Sequence, residues 1–138
     1  MSDLVPGKYI LYADDDPDDQ DFIREVLASA NPDIQLITRD SGEEILEYLD
    51  ALSKVARWPG LIILDLNMPG WNGIETLIMI RQNERYHHLP VLIFSTAANE
   101  NDRQRAFSEG AVAFIKKPSS FVELKTVIES FKSYLTDS

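Results

Sequence analysis

The stretch LIILDLNMPGWNGIETL, residues 61–77, combines a short apolar run, a polar turn and the beginning of a helical pattern. The run LIILD is continuously apolar up to its final aspartate, which is typical of a strand covered on both faces of a parallel sheet. Pro69 and Gly70 favour a turn, and Gly73 permits a close approach of the backbone where a helix begins. This stretch therefore predicts one strand–helix unit of an α/β fold.

The same alternation of apolar runs and helical patterns recurs along the chain. The predicted strands are residues 8–13, 34–38, 61–65, 90–95 and 111–115. The second of these runs is less continuously apolar, which indicates an edge strand. Apolar residues at helical spacing predict helices that begin near Pro17, Ser41, Gly73 and Ser119. A short polar segment that begins at Asn101 is predicted to form a further helix, the fourth in chain order. We expect the second helical pattern to reach residue 55, the fourth to stop at Gly110 and the last to run to Leu135.

Five strands that alternate with five helices predict a (βα)5 doubly wound five-stranded parallel sheet. Right-handed crossovers place the helices on both faces of such a sheet. The 138 residues suffice for one domain with a core over about residues 8–135, and no room is left for a second. We therefore expect a single domain over residues 1–138, without an output domain.

The composition argues against several classes of function. The formal charge of −10, from 13 basic and 23 acidic residues, argues against binding to nucleic acid. The absence of cysteine excludes disulfides, thiolate metal sites and cysteine catalysis. The N-terminal residues do not resemble a signal peptide, and the apolar runs are too short to span a bilayer. We therefore expect a cytoplasmic protein without membrane segments.

Polar side chains follow four of the five predicted strands. They are Asp14 and Asp15 after the first, Asp65 at the end of the third, Ser95 at the end of the fourth, and Lys116 and Lys117 after the fifth. Because the carboxyl ends of parallel strands share one rim, these groups are expected to converge. A divalent cation would relieve the repulsion among three carboxylates, and oxygen ligands with open water positions suit Mg²⁺. Such a site could bind phosphate through the metal and a lysine.

The acidic stretch ADDDPDDQD, residues 13–21, has alternative interpretations. A single aspartate at a strand end is more often a helix cap or a turn residue than a metal ligand, so the prediction depends on the joint occurrence. An EF-hand calcium loop requires glycine where Asp19 stands, and is excluded. Asp16 is instead expected to cap the first helix, with Pro17 at its first position.

Four segments of the sequence together resemble the receiver domain of two-component response regulators, over nearly the whole chain. They are ILYADDDP, LIILDLNMPGWNG, PVLIFSTA and AFIKKP. The spacing of 30 positions from Asp65 to Ser95, and of 52 from Asp65 to Lys117, is what the family pattern requires. The resemblance implies a flavodoxin-like receiver fold in a stand-alone, single-domain response regulator. The sequence argues against a haloacid-dehalogenase phosphatase, because Asn67 stands where that family has its general acid/base.

The resemblance also implies the roles of the acidic residues. Asp65 would be the phosphoacceptor, a carboxylate nucleophile that forms an acyl phosphate. Asp15 and Asp65 would bind Mg²⁺ directly, and Asp14 would act mainly through water. The backbone carbonyl of Asn67 would complete the protein's share of the metal ligands.

The resemblance to the receiver domain family implies roles for three further residues. Lys117 would neutralise charge on the transferred phosphoryl group, and the family usually makes the bond from Lys117 to Pro118 cis. Ser95 would donate a hydrogen bond to a phosphoryl oxygen and so pull its loop inward. Phe114 occupies the aromatic switch position and would move inward with it. The alternative for Phe114 is a permanently buried core ring.

The implied function is a switch that is controlled by phosphorylation. It would accept a phosphoryl group from a sensor histidine kinase or a phosphotransfer protein. It would catalyse its own aspartyl phosphorylation and dephosphorylation without being a classical enzyme. A downstream protein, or a weak homodimer of an otherwise monomeric chain, would use the face of the fourth helix, fifth strand and fifth helix. The alternative is a pseudo-receiver, an unphosphorylated interaction module on the same fold.

Overall fold

The computed structural model describes residues 9–52, 57–97 and 99–135. Its strands are β1 (Tyr9–Ala13), β2 (Gln35–Arg39), β3 (Leu61–Asp65), β4 (Val91–Ser95) and β5 (Ala113–Lys116). Its α-helices are α1 (Pro17–Ala30), α2 (Gly42–Ala51), α3 (Gly73–Arg81), α4 (Glu100–Ser108) and α5 (Phe121–Ser130). A 3-10 helix, Lys132–Leu135, follows α5. Among the residues described, no helix combines the length and apolar composition that crossing a membrane requires.

The five strands form one parallel sheet in the order β2-β1-β3-β4-β5. This order confirms the predicted (βα)5 sheet and the edge position of the second strand. The chain leaves β1 in one direction to β2 and then returns to β3 on the other side, so the strand order reverses between β1 and β3. Ligands bind such sheets in the crevice at this reversal, beyond the carboxyl ends of the strands.

Each face of the sheet carries its own hydrophobic core, because successive side chains of a strand point to opposite faces. Leu11, Leu64 and Ile93 pack with α2, α3 and α4 on one face. Tyr12 and Phe94, their neighbours in sequence, pack with α1 and α5 on the other. The central strands β1, β3 and β4 are buried along their whole length, which explains their continuously apolar sequences.

The helices α1 and α2 begin at the positions that the sequence predicts, and each has a side-chain N-cap. The Asp16 carboxylate accepts a hydrogen bond from the backbone of Asp18 at the start of α1. Ser41 does the same at the start of α2. Gly110 has a φ of +103°, a left-handed conformation that suits glycine, and it ends α4 as predicted. These local signals position the helix N-termini beside the carboxyl rim of the sheet.

Two helix ends differ from the sequence prediction. The helix α2 ends at Ala51, and residues 53–55, which the pattern also assigned to it, lie outside the described residues, as does residue 8. The predicted continuous helix to Leu135 is wrong, because α5 ends at Ser130. The Ser130 hydroxyl donates to the Val127 carbonyl, and the Phe131 N–H bonds three residues back, so the last turns tighten to 3-10 geometry. Leu135 is nevertheless buried.

Gly73 holds α3 directly against the end of β3. A Cβ atom at Gly73 would lie 2.9 Å from the Asp65 carbonyl oxygen and 3.1 Å from the Leu66 Cα atom. Both are backbone atoms and cannot turn aside, so Gly73→Ala must displace the residue that ends β3. We expect this substitution to lower the free energy of unfolding by about 2 kcal/mol, measured by urea denaturation. An unchanged urea midpoint would show that the backbone accommodates the methyl group.

Candidate functional site

Three carboxylates meet at the carboxyl rim of the sheet, in the crevice between β1 and β3. Asp14 and Asp15 directly follow β1, and Asp65 is the last residue of β3. One carboxylate oxygen from each lies within 4.8 Å of the others. The backbone N–H of Asp14 bonds to the Arg39 carbonyl at 3.1 Å, which extends the pairing of β1 with β2 and places the pair at the rim. The structure thus brings together the acids that the strand-end pattern predicts to converge.

The three acids differ in their access to solvent. Asp14 and Asp65 are buried, whereas Asp15 is exposed. The buried Asp14 carboxylate accepts hydrogen bonds from the Tyr12 hydroxyl at 2.5 Å and the Asp16 backbone N–H at 2.9 Å. It also forms an ion pair with Lys117. These contacts compensate a buried charge that would otherwise be strongly unfavourable.

Lys117 brings a positive charge to the acidic cluster from the end of β5. Its backbone N–H bonds to the Ser95 carbonyl at 2.8 Å, and its Nζ atom lies 2.6 Å from Asp14 Oδ2. The same Nζ atom lies 2.7 Å from Asp19 Oδ2 and 3.4 Å from Asp65 Oδ2. Burial lowers the pKa of Lys117, but the hydrogen bonds to Asp14 and Asp19 outweigh this and raise it. The lysine is therefore a permanent cation.

The peptide bond between Lys117 and Pro118 is trans, since the described residues contain no cis peptide bond. This corrects the expectation of a cis bond. The trans form is the more stable one by about 0.5–1 kcal/mol for a bond that precedes proline. Lys117 contacts the acidic cluster from the trans backbone.

Burial raises the pKa of Asp65 to about 6. The Lys117 ammonium opposes this increase, and the neighbouring Asp14 carboxylate adds to it. The Asn67 backbone N–H also lies 3.4 Å from Asp65 Oδ1, a long hydrogen bond that favours the ionised form. At pH 7 Asp65 is therefore mostly an ionised carboxylate held in an environment that does not fully compensate its charge.

Ser95 ends β4, and Asn67 lies in the neighbouring loop after β3. The buried Ser95 hydroxyl donates to the carbonyl of Ala97 at 2.6 Å, in the loop that follows β4. The Asn67 side-chain amide donates to the Thr96 hydroxyl at 3.2 Å and so links the loops after β3 and β4. The roles assigned to the Ser95 hydroxyl and the Asn67 carbonyl stay predictions.

Phe114 is buried in the core beneath α4. Its backbone carbonyl lies 3.4 Å from an Arg103 guanidinium nitrogen of α4, at hydrogen-bonding distance. A buried ring agrees with the core alternative stated for this residue, and an inward movement on activation stays a prediction.

Three residues that the strand-end pattern missed also contact the site. Tyr12 bonds to Asp14, and Asp19 bonds to Lys117. The Gln20 amide donates to the Asp14 carbonyl at 2.6 Å. A signal for Tyr12 was available, because residues two apart in a strand share a face. Asp19 stands four residues before Ile23 and so continues the inner face of α1.

The donor set is suited to a hard divalent cation. Its oxygens lie close together, and the exposed Asp15 leaves one side open to solvent. The buried Asp14 already has three partners, so Asp15 and Asp65 have more free coordinating capacity than Asp14. This difference in coordinating capacity among the three aspartates fits a metal ion bound by a few protein oxygens and several waters.

Comparison with known proteins identifies the family. A family model described as the response regulator receiver domain matches residues 10–129. The response regulator Rcp1 of Synechocystis is 28% identical over 131 residues, which are 94% of this chain and 89% of Rcp1. The probable methanogenesis regulatory protein FilR2 of Methanothrix harundinacea is 34% identical over 94 residues, which are 67% of this chain and 61% of FilR2.

Solved structures agree with this assignment. The phosphorylated cyanobacterial phytochrome response regulator RcpA superimposes with a TM-score of 0.79 at 28% identity, covering 93% of each chain. The Mn²⁺-bound form of Rcp1 superimposes with a TM-score of 0.76, covering 91% of this chain and 92% of that one. The parallel sheet, the acids at its carboxyl rim and the match over residues 10–129 lead to one conclusion. This chain belongs to the response regulator receiver domain family.

Proposed function

We propose that this chain is a phosphorylation-activated switch of a two-component phosphorelay, with Asp65 as its phosphoacceptor. The observation that carries the proposal is the buried Asp65 carboxylate, which lies at the sheet rim with two further acids and a lysine around it. A carboxylate kept ionised but poorly compensated is suited to attack phosphorus, and the neighbouring cation is suited to receive the charge of the transferred group.

The proposed chemistry takes place on one Asp65 oxygen. A bond forms between phosphorus and this oxygen, and the bond from phosphorus to the donor breaks with its electron pair leaving on the donor. For a phosphohistidine donor the departing group is the imidazole nitrogen. In the reverse half of the cycle, water attacks phosphorus, inorganic phosphate departs and the Asp65 carboxylate is restored. The chain thus catalyses its own phosphorylation and dephosphorylation without being a classical enzyme.

The metal ligands of the proposed site are Asp15, Asp65 and the backbone carbonyl of Asn67, with Asp14 acting mainly through water. Bound Mg²⁺ would supply positive charge to both the attacking carboxylate and the phosphoryl oxygens. The oxygen-only donor set and the three existing partners of Asp14 support this assignment. The Mn²⁺-bound form of Rcp1 supports it further by analogy.

The switch would begin at Ser95. Its hydroxyl would leave the Ala97 carbonyl and donate to a phosphoryl oxygen, which moves the loop after β4 and changes the packing around Phe114. Exposed apolar side chains on α4, before β5 and on α5 support signalling through protein contacts in this part of the fold. They are Phe107, Val112, Phe121 and Val122. An unidentified downstream protein, or a second copy in a weak homodimer, would bind this face.

The phosphoryl donor would be a sensor histidine kinase or a phosphotransfer protein. The likeness to RcpA, a phytochrome response regulator, favours a kinase of the phytochrome type. Kinase contact would involve α1 and the loop after β5, which flank the acidic cluster. Faster transfer from an autophosphorylated phytochrome-type kinase than from an unrelated kinase would support this part of the proposal.

Metal-dependent self-phosphorylation tests the proposed function directly. The purified chain is incubated with acetyl phosphate and Mg²⁺, and the aspartyl phosphate is quantified by intact-mass spectrometry. We expect nearly complete modification of the wild type, none after chelation of Mg²⁺ and none in Asp65→Asn. Asp21→Asn is the control, because Asp21 is an exposed aspartate that pairs with Arg24 on the surface of α1.

A wild-type chain that stays unmodified with both donor and Mg²⁺ contradicts the proposal and favours the pseudo-receiver alternative. Modification that survives in Asp65→Asn shows instead that another residue is the acceptor. The control separates these outcomes from a general effect of lost negative charge, because Asp65→Asn and Asp21→Asn change the net charge equally.

A further inference from the structure

Lys117 has two carboxylate partners that are closer than Asp65. Its Nζ atom lies 2.6 Å from Asp14 Oδ2 and 2.7 Å from Asp19 Oδ2, against 3.4 Å for Asp65 Oδ2. An ammonium group donates three hydrogen bonds, and the two shortest contacts direct two of them to groups that receive no phosphoryl group. In the unphosphorylated protein the ammonium is therefore drawn toward α1 and the end of β1.

Asp19 is placed for this contact by the register of α1. It stands one turn before Ile23, a buried residue on the inner face of the helix, so its side chain can reach Lys117. It lines a surface cleft together with Lys117 and Pro118. The Asp19 side chain is 37% exposed, so water can solvate its carboxylate when the lysine leaves.

The contact also joins two elements that flank the acidic cluster. Asp19 belongs to the first turn of α1, and Lys117 precedes α5 by four residues, so the ion pair spans 98 residues of sequence. The buried Asp14 cannot release its lysine without leaving an uncompensated charge, whereas the half-exposed Asp19 can. Asp19 is thus the partner that Lys117 exchanges most readily for another anion.

We propose that Asp19 is a positioning residue that draws the Lys117 ammonium away from Asp65 until a phosphoryl group competes for it. This inference rests on the proposed function of Asp65. The phosphoryl oxygens carry more negative charge than the free carboxylate and attract the ammonium, and water then solvates Asp19. Breaking the contact with Asp19 is part of the barrier to phosphorylation, so removal of this carboxylate lowers the barrier.

The kinetic test compares Asp19→Asn with the wild type. Phosphorylation by acetyl phosphate is followed at saturating Mg²⁺ over a range of donor concentrations. We expect the maximal rate to rise by about three- to tenfold, the effect of losing one partly exposed charged hydrogen bond, with the half-saturating donor concentration unchanged. Asp19→Glu retains the carboxylate and should restore most of the wild-type rate.

Asp18→Asn is the matched control. Asp18 is exposed and stands beside Asp19 in the first turn of α1, so the two substitutions change the net charge and the helix-dipole interaction alike. We expect Asp18→Asn to be phosphorylated at the wild-type rate. An equal acceleration in both variants would assign the effect to the general charge of α1 and overturn the proposal.

A second measurement uses the metal-free, unphosphorylated protein. The exchange of the Lys117 ammonium protons with water is measured by ¹⁵N-edited NMR of the lysine side chain. We expect exchange to be several-fold faster in Asp19→Asn than in the wild type or Asp18→Asn, because the neutral amide oxygen accepts a weaker hydrogen bond from the ammonium than the carboxylate does. Unchanged exchange, or an unchanged rate of phosphorylation, would overturn the proposal. If the wild type accepts no phosphoryl group, the proposed function fails, and the NMR result still decides whether Asp19 holds the lysine.

Discussion

Replacement of Lys117 by glutamine is expected to lower the rate of phosphorylation by acetyl phosphate by about 10²–10³-fold. Glutamine has a similar length but no charge, so it cannot neutralise charge that develops on the transferred phosphoryl group. Lys117→Arg keeps the charge but replaces the compact ammonium with a planar fork, and we expect its rate to stay low as well. The measurement is the initial rate of aspartyl phosphate formation at saturating Mg²⁺.

The adjacent Lys116 provides the control for this prediction. Lys116 is exposed and is the last residue of β5, so Lys116→Gln changes the net charge equally without altering the acidic cluster. We also expect Lys117→Gln to lower the free energy of unfolding by about 3 kcal/mol, because the buried Asp14 loses its charged partner. Equal rates for Lys116→Gln and Lys117→Gln would contradict the proposed role of Lys117. A slow but folded Lys117→Arg would show that the rate loss is not caused by unfolding.

Replacement of Asp65 by asparagine is expected to stabilise the metal-free protein by about 2–3 kcal/mol at pH 7.5. Burial raises the pKa of Asp65 to about 6, so the ionised carboxylate is less stable in the folded chain than in the unfolded chain. Asparagine removes this unfavourable charge at little change in volume. Chemical denaturation in a chelating buffer measures the effect, and the exposed Asp21→Asn should leave the free energy of unfolding nearly unchanged.

The pH dependence of this difference follows from the direction of the pKa shift. A carboxyl group whose pKa is raised on folding destabilises the fold above its folded pKa and has no effect below its unfolded pKa. The stability difference between Asp65→Asn and the wild type should therefore be largest above pH 7, decrease through pH 6 and vanish near pH 4. A difference that is constant over this range would show that the Asp65 charge is not its cause.

Added Mg²⁺ should remove most of this difference in stability between the two proteins. A ligand that binds only the folded state stabilises it by about 2.7 kcal/mol at a concentration 100-fold above its dissociation constant. We expect this gain for the wild type and a much smaller one for Asp65→Asn, which lacks one ligand. A wild-type free energy of unfolding that does not rise with Mg²⁺ would contradict the proposed metal site.

Most of the fold was predictable because its signals are local. The continuously apolar strands, the Asp16 and Ser41 caps and the stop at Gly110 each depend on a few neighbouring residues, and the structure has all of them. The end of α5 was missed, because Ser130 competes for a backbone carbonyl within a pattern that continues to Leu135. The trans bond before Pro118 was missed because the expectation came from the family and not from this chain.

The convergence of the strand-end residues was predictable from the sequence. Strand periodicity and parallel pairing place Asp14, Asp65 and Lys117 on one rim, whatever the details of packing. The partners that each group contacts there depend on the tertiary structure. Three carboxylate oxygens lie near the Lys117 Nζ atom, and their distances from it differ by less than 1 Å. The nearest two belong to Asp14 and to Asp19 of α1. Which carboxylates contact the ammonium depends on side-chain rotamers and on the packing of α1 against α5, and no local pattern of residues encodes either of these.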